Sequence, residues 1–269
     1  MKELNHLSEV YDVYDTFVID LWGVIHNGIK LNEKAIEVID QLKKNQKKIV
    51  FLSNAPRPSA KVIDFLLKMK MDKQYLSNVV TSGEAAMSAI NKNKFKKTFF
   101  HIGPPRDFPI FEKVSENKIN NIENCDFILG TGLFDEYKND LIFYKNFLLK
   151  HTSKKFICTN PDLTVHKGDK EEYCAGAIAK IFEELGGQVI YYGKPYKEIY
   201  QLCFRENEKV LAIGDNLRTD IRGANNLHLD CLFISEGVHR NELNYTSELE
   251  ILLDKYKVKV NFFQKELQW

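Results

Sequence analysis

The sequence predicts an α/β protein built around a mostly parallel β-sheet. Short apolar runs typical of strands alternate with helical patterns along nearly all of the 269 residues. Most of these runs end in a small or polar residue, as strands do where an open α/β sheet carries its functional loops. The runs outside the middle of the chain lie at 17–20, 49–53, 79–82, 189–193, 210–214 and 232–235. This strand-helix-strand rhythm places helices on both faces of the sheet.

The helices between these strands are predicted from apolar periodicity. The segment 33–44 places Ile36 and Ile39 on one helical face. Ser59 can cap the start of a second helix, in which apolar residues recur at similar spacing. Both segments therefore fit as connections between parallel strands.

The middle of the chain repeats this alternation and predicts a second α/β unit. Strands are expected at 98–103, 126–130 and 156–160, and helices at 136–150 and 171–185. We therefore expect an inserted α/β domain at 84–187. The flanking segments 1–83 and 188–269 would form one discontinuous core domain around a single sheet.

Composition excludes several classes of function. Lys and Arg number 38 and Asp and Glu number 37, which gives a net charge of +1. No overall field therefore favours nucleic acid or an anionic membrane. No apolar stretch approaches the ~20 residues that span a bilayer, and the first residues contain no apolar leader. Five cysteines without CxxC spacing are typical of a reduced protein, so we expect a soluble, cytoplasmic protein.

Four polar sites follow the predicted strands. They are Asp20, Ser53-Asn54, Gly193-Lys194-Pro195, and Gly214-Asp215 with Asp220. Taken singly, each is more often a turn, a helix cap or a solvated side chain. Their joint order is more specific, because carboxylates that follow two parallel strands suit a hard cation at one edge of the sheet.

This order of motifs resembles that of the haloacid dehalogenase superfamily. Within it, the chain is similar to the class IIA hydrolases, which insert an α/β cap domain between the second and third motifs. The resemblance extends over nearly the whole chain, including 160–162, 175–179 and 237–240. The subgroup closest in pattern has a tryptophan in its first motif. The resemblance implies a Rossmann-like core and a phosphatase that acts on a small phosphorylated metabolite.

The resemblance also implies roles for the strand-end residues. Asp20 is the expected nucleophile, which forms an aspartyl-phosphate. Mg²⁺ is the expected cofactor, bound by Asp20, the backbone carbonyl of Trp22 and Asp215. Asp220 would lie next to these ligands without binding the ion directly.

Further positions are expected to bind the substrate. Ser53 and backbone amides near Asn54 would hold phosphate oxygens, and Lys194 would offset the negative charge. In the cap, Asn160 and Asp162 could lie in a loop that faces the site and selects the substrate. A capped turn between strand and helix is the alternative for this loop.

Trp22 is the departure from the usual pattern. Phosphatases of the family have an aspartate two residues after the nucleophile, which protonates the leaving oxygen and later activates water. The indole N–H is not a usable acid or base. General acid–base help is worth roughly 10²–10⁴-fold, so alkyl phosphates should react slowly.

Four interpretations of Trp22 stay open. The first is a phosphatase for good leaving groups, such as acyl or aryl phosphates. The second recruits another acid or base, with His26 as the candidate, although a loop role is more common for such a residue. The third is a dehalogenase, which needs no metal and is therefore disfavoured by Gly214-Asp215. The fourth is a catalytically silent protein that binds a phosphorylated ligand or a metal.

Two other expectations concern class and partners. The alternative from another class is a receiver domain of signalling systems, which also uses an Asp at the end of a strand, a Ser or Thr, a Lys and Mg²⁺. Receiver domains are far shorter and cluster their acids near the first strand, so the inserted domain and the distant Asp215 disfavour this alternative. Class IIA relatives often pair through their caps, so a homodimer is one expectation for this chain.

Overall fold

The computed structural model describes residues 1–92, 95, 97–243 and 248–269. In chain order, the strands described are β1 (Lys2–Glu3), β2 (Thr16–Ile19), β3 (Lys48–Ser53), β4 (Val79–Thr81), β5 (Phe99–Ile102), β6 (Phe127–Gly130), β7 (Lys155–Cys158), β8 (Thr164–Lys167), β9 (Lys170–Tyr173), β10 (Gln188–Tyr191), β11 (Val210–Gly214), β12 (Asp230–Ile234) and β13 (Phe262–Gln264). The helices are α1 (Glu33–Lys44), α2 (Ser59–Lys68), α3 (Ser82–Asn91), α4 (Leu141–Leu148), α5 (Ala175–Glu184), α6 (Lys197–Tyr200), α7 (Arg222–Asn226) and α8 (Leu249–Tyr256). A π-helical segment, Leu217–Ile221, leads into α7.

The larger sheet has seven strands in the order β1-β13-β12-β11-β2-β3-β4. All of its neighbouring strands run parallel, so the predicted fold class is confirmed. β2 and β11 are neighbours, with Ile19 opposite Ile213. Residues that follow these two strands therefore lie at the same edge of the sheet.

The central strands are apolar because both of their faces are covered. Phe17 and Ile19 of β2 belong to one buried cluster with Leu42 of α1. Val18 lies in a second cluster with Ile199 of α6. A continuous apolar run is what a parallel strand buried on both faces requires.

The smaller sheet has four parallel strands in the order β10-β7-β6-β5. Helices α4 and α5 cover one face, where Tyr144, Phe156 and Phe182 share a core. Phe99 and Phe127 belong to a separate cluster. β8 and β9 form an antiparallel hairpin outside both sheets.

The predicted partner of the strand at 189–193 was wrong. This run forms β10, but β10 pairs with β7 in the smaller sheet and not with the larger one. A short apolar run predicts a strand without specifying its neighbour. We therefore propose that the inserted domain begins at 84 and ends after Tyr191, and not at 187.

Two helices of the middle region start later than predicted. The helix predicted over 171–185 begins at Ala175, because the preceding residues form β9. The helix predicted over 136–150 begins at Leu141, because the Asp140 side chain accepts from Phe143 N and caps it there.

No helix in the described ranges is long and apolar enough to cross a membrane. The five cysteines are all free and buried.

Candidate active site

Asp20, Asp215 and Asp220 gather at the carboxyl edge of the larger sheet. Asp20 directly follows β2, and Asp215 directly follows its neighbour β11. Asp220 lies in the π-helical segment that comes next. Each carboxylate offers an oxygen, and these oxygens lie within 4.8 Å of one another. The structure thus brings together the three acids that the sequence analysis grouped, and all three are buried.

Two glycines leave the space that the Asp215 carboxylate occupies. A Cβ at Gly23 would lie 2.0 Å from Asp215 Oδ2, and a Cβ at Gly237 would lie 2.1 Å from the same atom. Val238 N donates to this oxygen at 2.6 Å. Gly23 also has a φ of +85°, which favours glycine. Gly237 had no predicted role of its own, because a contact made over 22 residues leaves no local pattern.

The close approach of Gly23 to Asp215 leads to a testable prediction. Gly23→Ala should weaken the binding of a divalent cation by these acids by about tenfold or more, because the new methyl group must displace the Asp215 carboxylate. Gly186→Ala is the matched control, since Gly186 has a φ of +87° but nothing within 4 Å of an added Cβ. Isothermal titration calorimetry with Mg²⁺ measures both variants. Equal affinities in the two variants would show that Gly23 does not shape a metal site.

Lys194 lies within the acidic group. Its Nζ is 2.6 Å from Asp20 Oδ1 and 2.6 Å from Asp220 Oδ1, and it also donates to the Leu52 carbonyl at 3.0 Å. Burial disfavours its charge, but the carboxylates outweigh burial and raise the pKa of Lys194 well above its usual value. The lysine is therefore a fixed cation, held between two of the three acids.

Asn54 holds the backbone of Lys194. Its Oδ1 accepts from Lys194 N at 2.8 Å, and its Nδ2 donates to the Lys194 carbonyl at 3.2 Å. The side-chain amide of Asn54 is thus engaged with the lysine backbone, and the binding of phosphate by backbone amides near Asn54 stays a prediction. Ser53, at the end of β3, lines the cleft beside Asp20 and accepts from Ala55 N at 3.2 Å.

The acidic group carries excess negative charge. Burial is the largest effect and raises the pKa of Asp20 to about 8, although Lys194 opposes it. Burial and the charges of Asp20 and Asp220 raise the pKa of Asp215 well above its usual value. With every group ionised, three carboxylates and one ammonium would have a formal charge of −2, and the raised pKa values reflect the cost of that state. A divalent cation would therefore balance the site, and carboxylate oxygens are suitable ligands for it.

The cap loop reaches this edge of the larger sheet. Asp162 Oδ1 accepts from Asn216 Nδ2 and from Thr219 Oγ1, each at 3.1 Å, and Asn160 Oδ1 accepts from Asp162 N at 3.1 Å. Burial raises the pKa of Asp162 to about 6. Both residues line the cleft, and a role in selecting the substrate stays a prediction. Asn216 and Thr219 were not predicted to bind Asp162, although polar residues between two candidate acids were a signal of such contacts.

His26 is buried and lines the same cleft. Its Nδ1 faces Gly28 N at 3.0 Å and accepts from it, so the ring proton lies on Nε2. Burial lowers the pKa of His26 to about 4. The ring is therefore neutral near pH 7 and is a poor proton donor.

Trp22 turns its indole towards the cap. Its Nε1 donates to the His166 carbonyl in β8 at 2.7 Å. The side chain at the position of the usual acid thus contacts the hairpin formed by β8 and β9, which was not predicted.

The cleft between the two sheets has a volume of about 580 Å³. Asp20, Asp215 and Asp220 line it from the larger sheet, and Thr131 and Asn160 line it from loops of the smaller one. This volume is within the range of small-molecule sites.

Two family models match the chain. A haloacid dehalogenase-like hydrolase model matches residues 17–115, and a second model of the same kind matches residues 191–254. Together the matched segments cover more than half of the sequence and contain Asp20, Lys194 and Asp215. The chain belongs to the haloacid dehalogenase-like hydrolases.

Relatives in this family include phosphatases. The 5'-nucleotidase YutF of Bacillus subtilis is 26% identical over 245 residues, which cover 88% of this chain and 93% of that protein. An acid sugar phosphatase of Staphylococcus epidermidis is 26% identical over 235 residues, covering 85% and 89% of the two chains.

Solved structures agree with this membership. A haloacid dehalogenase-like hydrolase from Brucella suis matches with a TM-score of 0.86 and 28% identity, covering 99% of this chain and 100% of that chain. A glycerol phosphate phosphatase from Mycobacterium tuberculosis in complex with magnesium matches with a TM-score of 0.63 and 22% identity, covering 85% and 70%. The second likeness shows the shared fold alone.

Proposed function

We propose that this chain is a metal-dependent phosphohydrolase that acts on a small phosphorylated metabolite, with Asp20 as the nucleophile. The observation that carries the proposal is the buried group of Asp20, Asp215, Asp220 and Lys194 beside the cleft. Phosphoryl transfer depends almost entirely on positioning and on neutralising charge, and this group can do both. Relatives named as a nucleotidase and a sugar phosphatase support the same reaction class.

Mg²⁺ is the cation that we propose for this site. Asp20, Asp215 and the backbone carbonyl of Trp22 would hold it, because Asp220 already has its two oxygens directed at Lys194 and at Asn216 N. When bound, the cation would offset charge on the phosphate oxygens and favour the ionised form of Asp20. A glycerol phosphate phosphatase of the same fold was solved in complex with magnesium.

The reaction would proceed in two displacements at phosphorus. A carboxylate oxygen of Asp20 attacks in line, an O–P bond forms, and the bond to the leaving oxygen breaks with its electron pair on that oxygen. Lys194 holds Asp20 in place and offsets the added charge. Water then attacks the same phosphorus, the Asp20 O–P bond breaks, and inorganic phosphate leaves while the water proton passes to solvent.

Neither displacement receives a proton or a base from Trp22. Leaving oxygens that are stable without a proton, as in acyl and aryl phosphates, should therefore depart fastest. His26 does not fill the gap, because it is neutral and its Nδ1 is occupied. The same tryptophan favours the alternative of a weak or catalytically silent protein that binds a phosphorylated ligand or a metal.

Initial rates on a substrate panel test the proposal. Acetyl phosphate and p-nitrophenyl phosphate should turn over with Mg²⁺, and EDTA should abolish the activity. The rates on alkyl and sugar phosphates should be lower by about 10²-fold or more. Equal rates on all substrates would indicate a hidden general acid. Absence of turnover while calorimetry shows bound Mg²⁺ would favour the silent binding protein.

A further inference from the structure

The side chain of Trp22 joins the loop after β2 to the β8–β9 hairpin. Its Nε1 donates to the His166 carbonyl at 2.7 Å. The ring packs on Gly28, where a Cβ would come within 2.6 Å of Trp22 Cζ2, and it makes an edge contact with His26 at 5.0 Å between ring centroids. Indole has a single donor, and this bond occupies it.

We propose that Trp22 is a positioning residue that anchors the β8–β9 hairpin at the mouth of the cleft. The residue thus replaces the usual acid with a contact between the two parts of the molecule. This anchoring follows from contacts alone. Its kinetic consequence rests on the proposed function.

The neighbouring contacts converge on the same hairpin. Gly168 N, in the hairpin turn, donates to the Asn27 carbonyl at 3.0 Å. Arg240 Nη2 donates to the Gly168 carbonyl at 2.9 Å. A Cβ at Gly168 would come within 2.8 Å of Ile29 Cδ1, so the turn lies directly against the loop that carries Trp22.

The hairpin needs external anchors of this kind. It has only two strands, and its residues are exposed or half-buried throughout. An isolated two-stranded hairpin is marginally stable in water. Contacts with the rest of the molecule, of which the Trp22 bond is one, therefore decide how firmly it is held.

The position of the hairpin matters for the substrate. His166, Lys167, Lys170 and Glu172 line the cleft together with Asp20. If the hairpin moves away from the cleft more often, its side chains line the cleft for a smaller fraction of the time. The apparent affinity for a ligand falls in proportion to that fraction. Loss of the anchor should therefore raise KM more than it lowers kcat.

Hydrogen exchange measured by mass spectrometry tests the anchoring without any assumption about activity. In Trp22→Phe, the peptide that contains 164–173 should exchange about threefold to tenfold faster, because one hydrogen bond is lost while an aromatic ring stays. Trp269→Phe is the matched control. Trp269 is the second tryptophan of the chain and packs against Tyr11, away from the cleft.

The Trp269→Phe protein also allows a measurement in which Trp22 is unchanged. Its single indole N–H resonance belongs to Trp22 and should exchange with solvent about tenfold more slowly than a free indole. This measurement keeps the proposal testable if Trp22→Phe does not fold.

Steady-state kinetics on p-nitrophenyl phosphate provide the second test. Trp22→Phe should raise KM about threefold to tenfold with kcat within about twofold of the parent, and Trp269→Phe should change neither. Faster exchange of 164–173 supports the anchoring even if the protein proves to be a silent binder. Unchanged exchange of 164–173, exchange accelerated equally over the whole chain, or an unprotected indole N–H would overturn it.

Discussion

Asp20→Asn should abolish phosphatase activity, lowering turnover of p-nitrophenyl phosphate by about 10⁴-fold or more. An amide oxygen is a much weaker nucleophile than a carboxylate. The protein should stay folded, because the substitution removes one of three crowded acids while Lys194 keeps its contact with Asp220. Thermal unfolding should therefore occur at the same temperature or higher.

Asp12→Asn is the matched control for this substitution, since it makes the same chemical change at an exposed position of the same segment. It should leave kcat unchanged. Full activity in Asp20→Asn would contradict the assignment of Asp20 as the nucleophile. Loss of activity counts as support only if thermal unfolding shows that the variant is folded.

Trp22→Asp should raise turnover of alkyl phosphates by about 10²-fold, at the low end of what general acid–base catalysis supplies. A carboxyl group there can protonate the leaving oxygen and later activate water. The gain should be partial, because the substitution also removes the hydrogen bond to the His166 carbonyl and the ring that packs on Gly28.

Trp22→Asn separates these two effects. It removes the same ring and has nearly the shape of aspartate, but it cannot transfer a proton. Rates on alkyl phosphates should rise in the aspartate variant and not in the asparagine variant. Equal rates in both would mean that the cleft around Trp22 differs from the usual arrangement by more than one residue.

The grouping of the three acids was predictable because it follows from topology. Asp20 and Asp215 follow apolar runs, and parallel neighbours end at one edge of the sheet. No long-range contact had to be known for this, and the structure places the two residues as expected. Lys194 was predicted from the family resemblance and not from this topology, because the strand before it belongs to the smaller sheet. The hydrogen bonds by which Asn54 holds the Lys194 backbone were not predicted.

The cap was less predictable because its contacts are distant in sequence. The bond from Trp22 to the His166 carbonyl spans 144 residues, and backbone carbonyls leave no trace in a sequence. The prediction that β10 belongs to the larger sheet was wrong for a similar reason, since the apolar pattern of 188–191 suits either sheet. Glu171 and Glu172 fit a helix by propensity, but pairing with β8 places them in a strand.

Trp22 at the position of the usual acid–base residue has an expected consequence for the proposed reaction. With an aryl phosphate, the first displacement needs little help, because the leaving oxygen is stable without a proton. The second displacement needs an activated water, and the base that usually provides it is absent at Trp22. The aspartyl-phosphate should therefore accumulate.

Rapid-quench analysis of the protein mixed with p-nitrophenyl phosphate and Mg²⁺ tests the central claim most directly. We expect a burst of about one p-nitrophenol per protein molecule, and a peptide containing Asp20 that is heavier by one phosphoryl group. Turnover without any phosphorylated protein, or a phosphoryl group on another residue, would contradict the account.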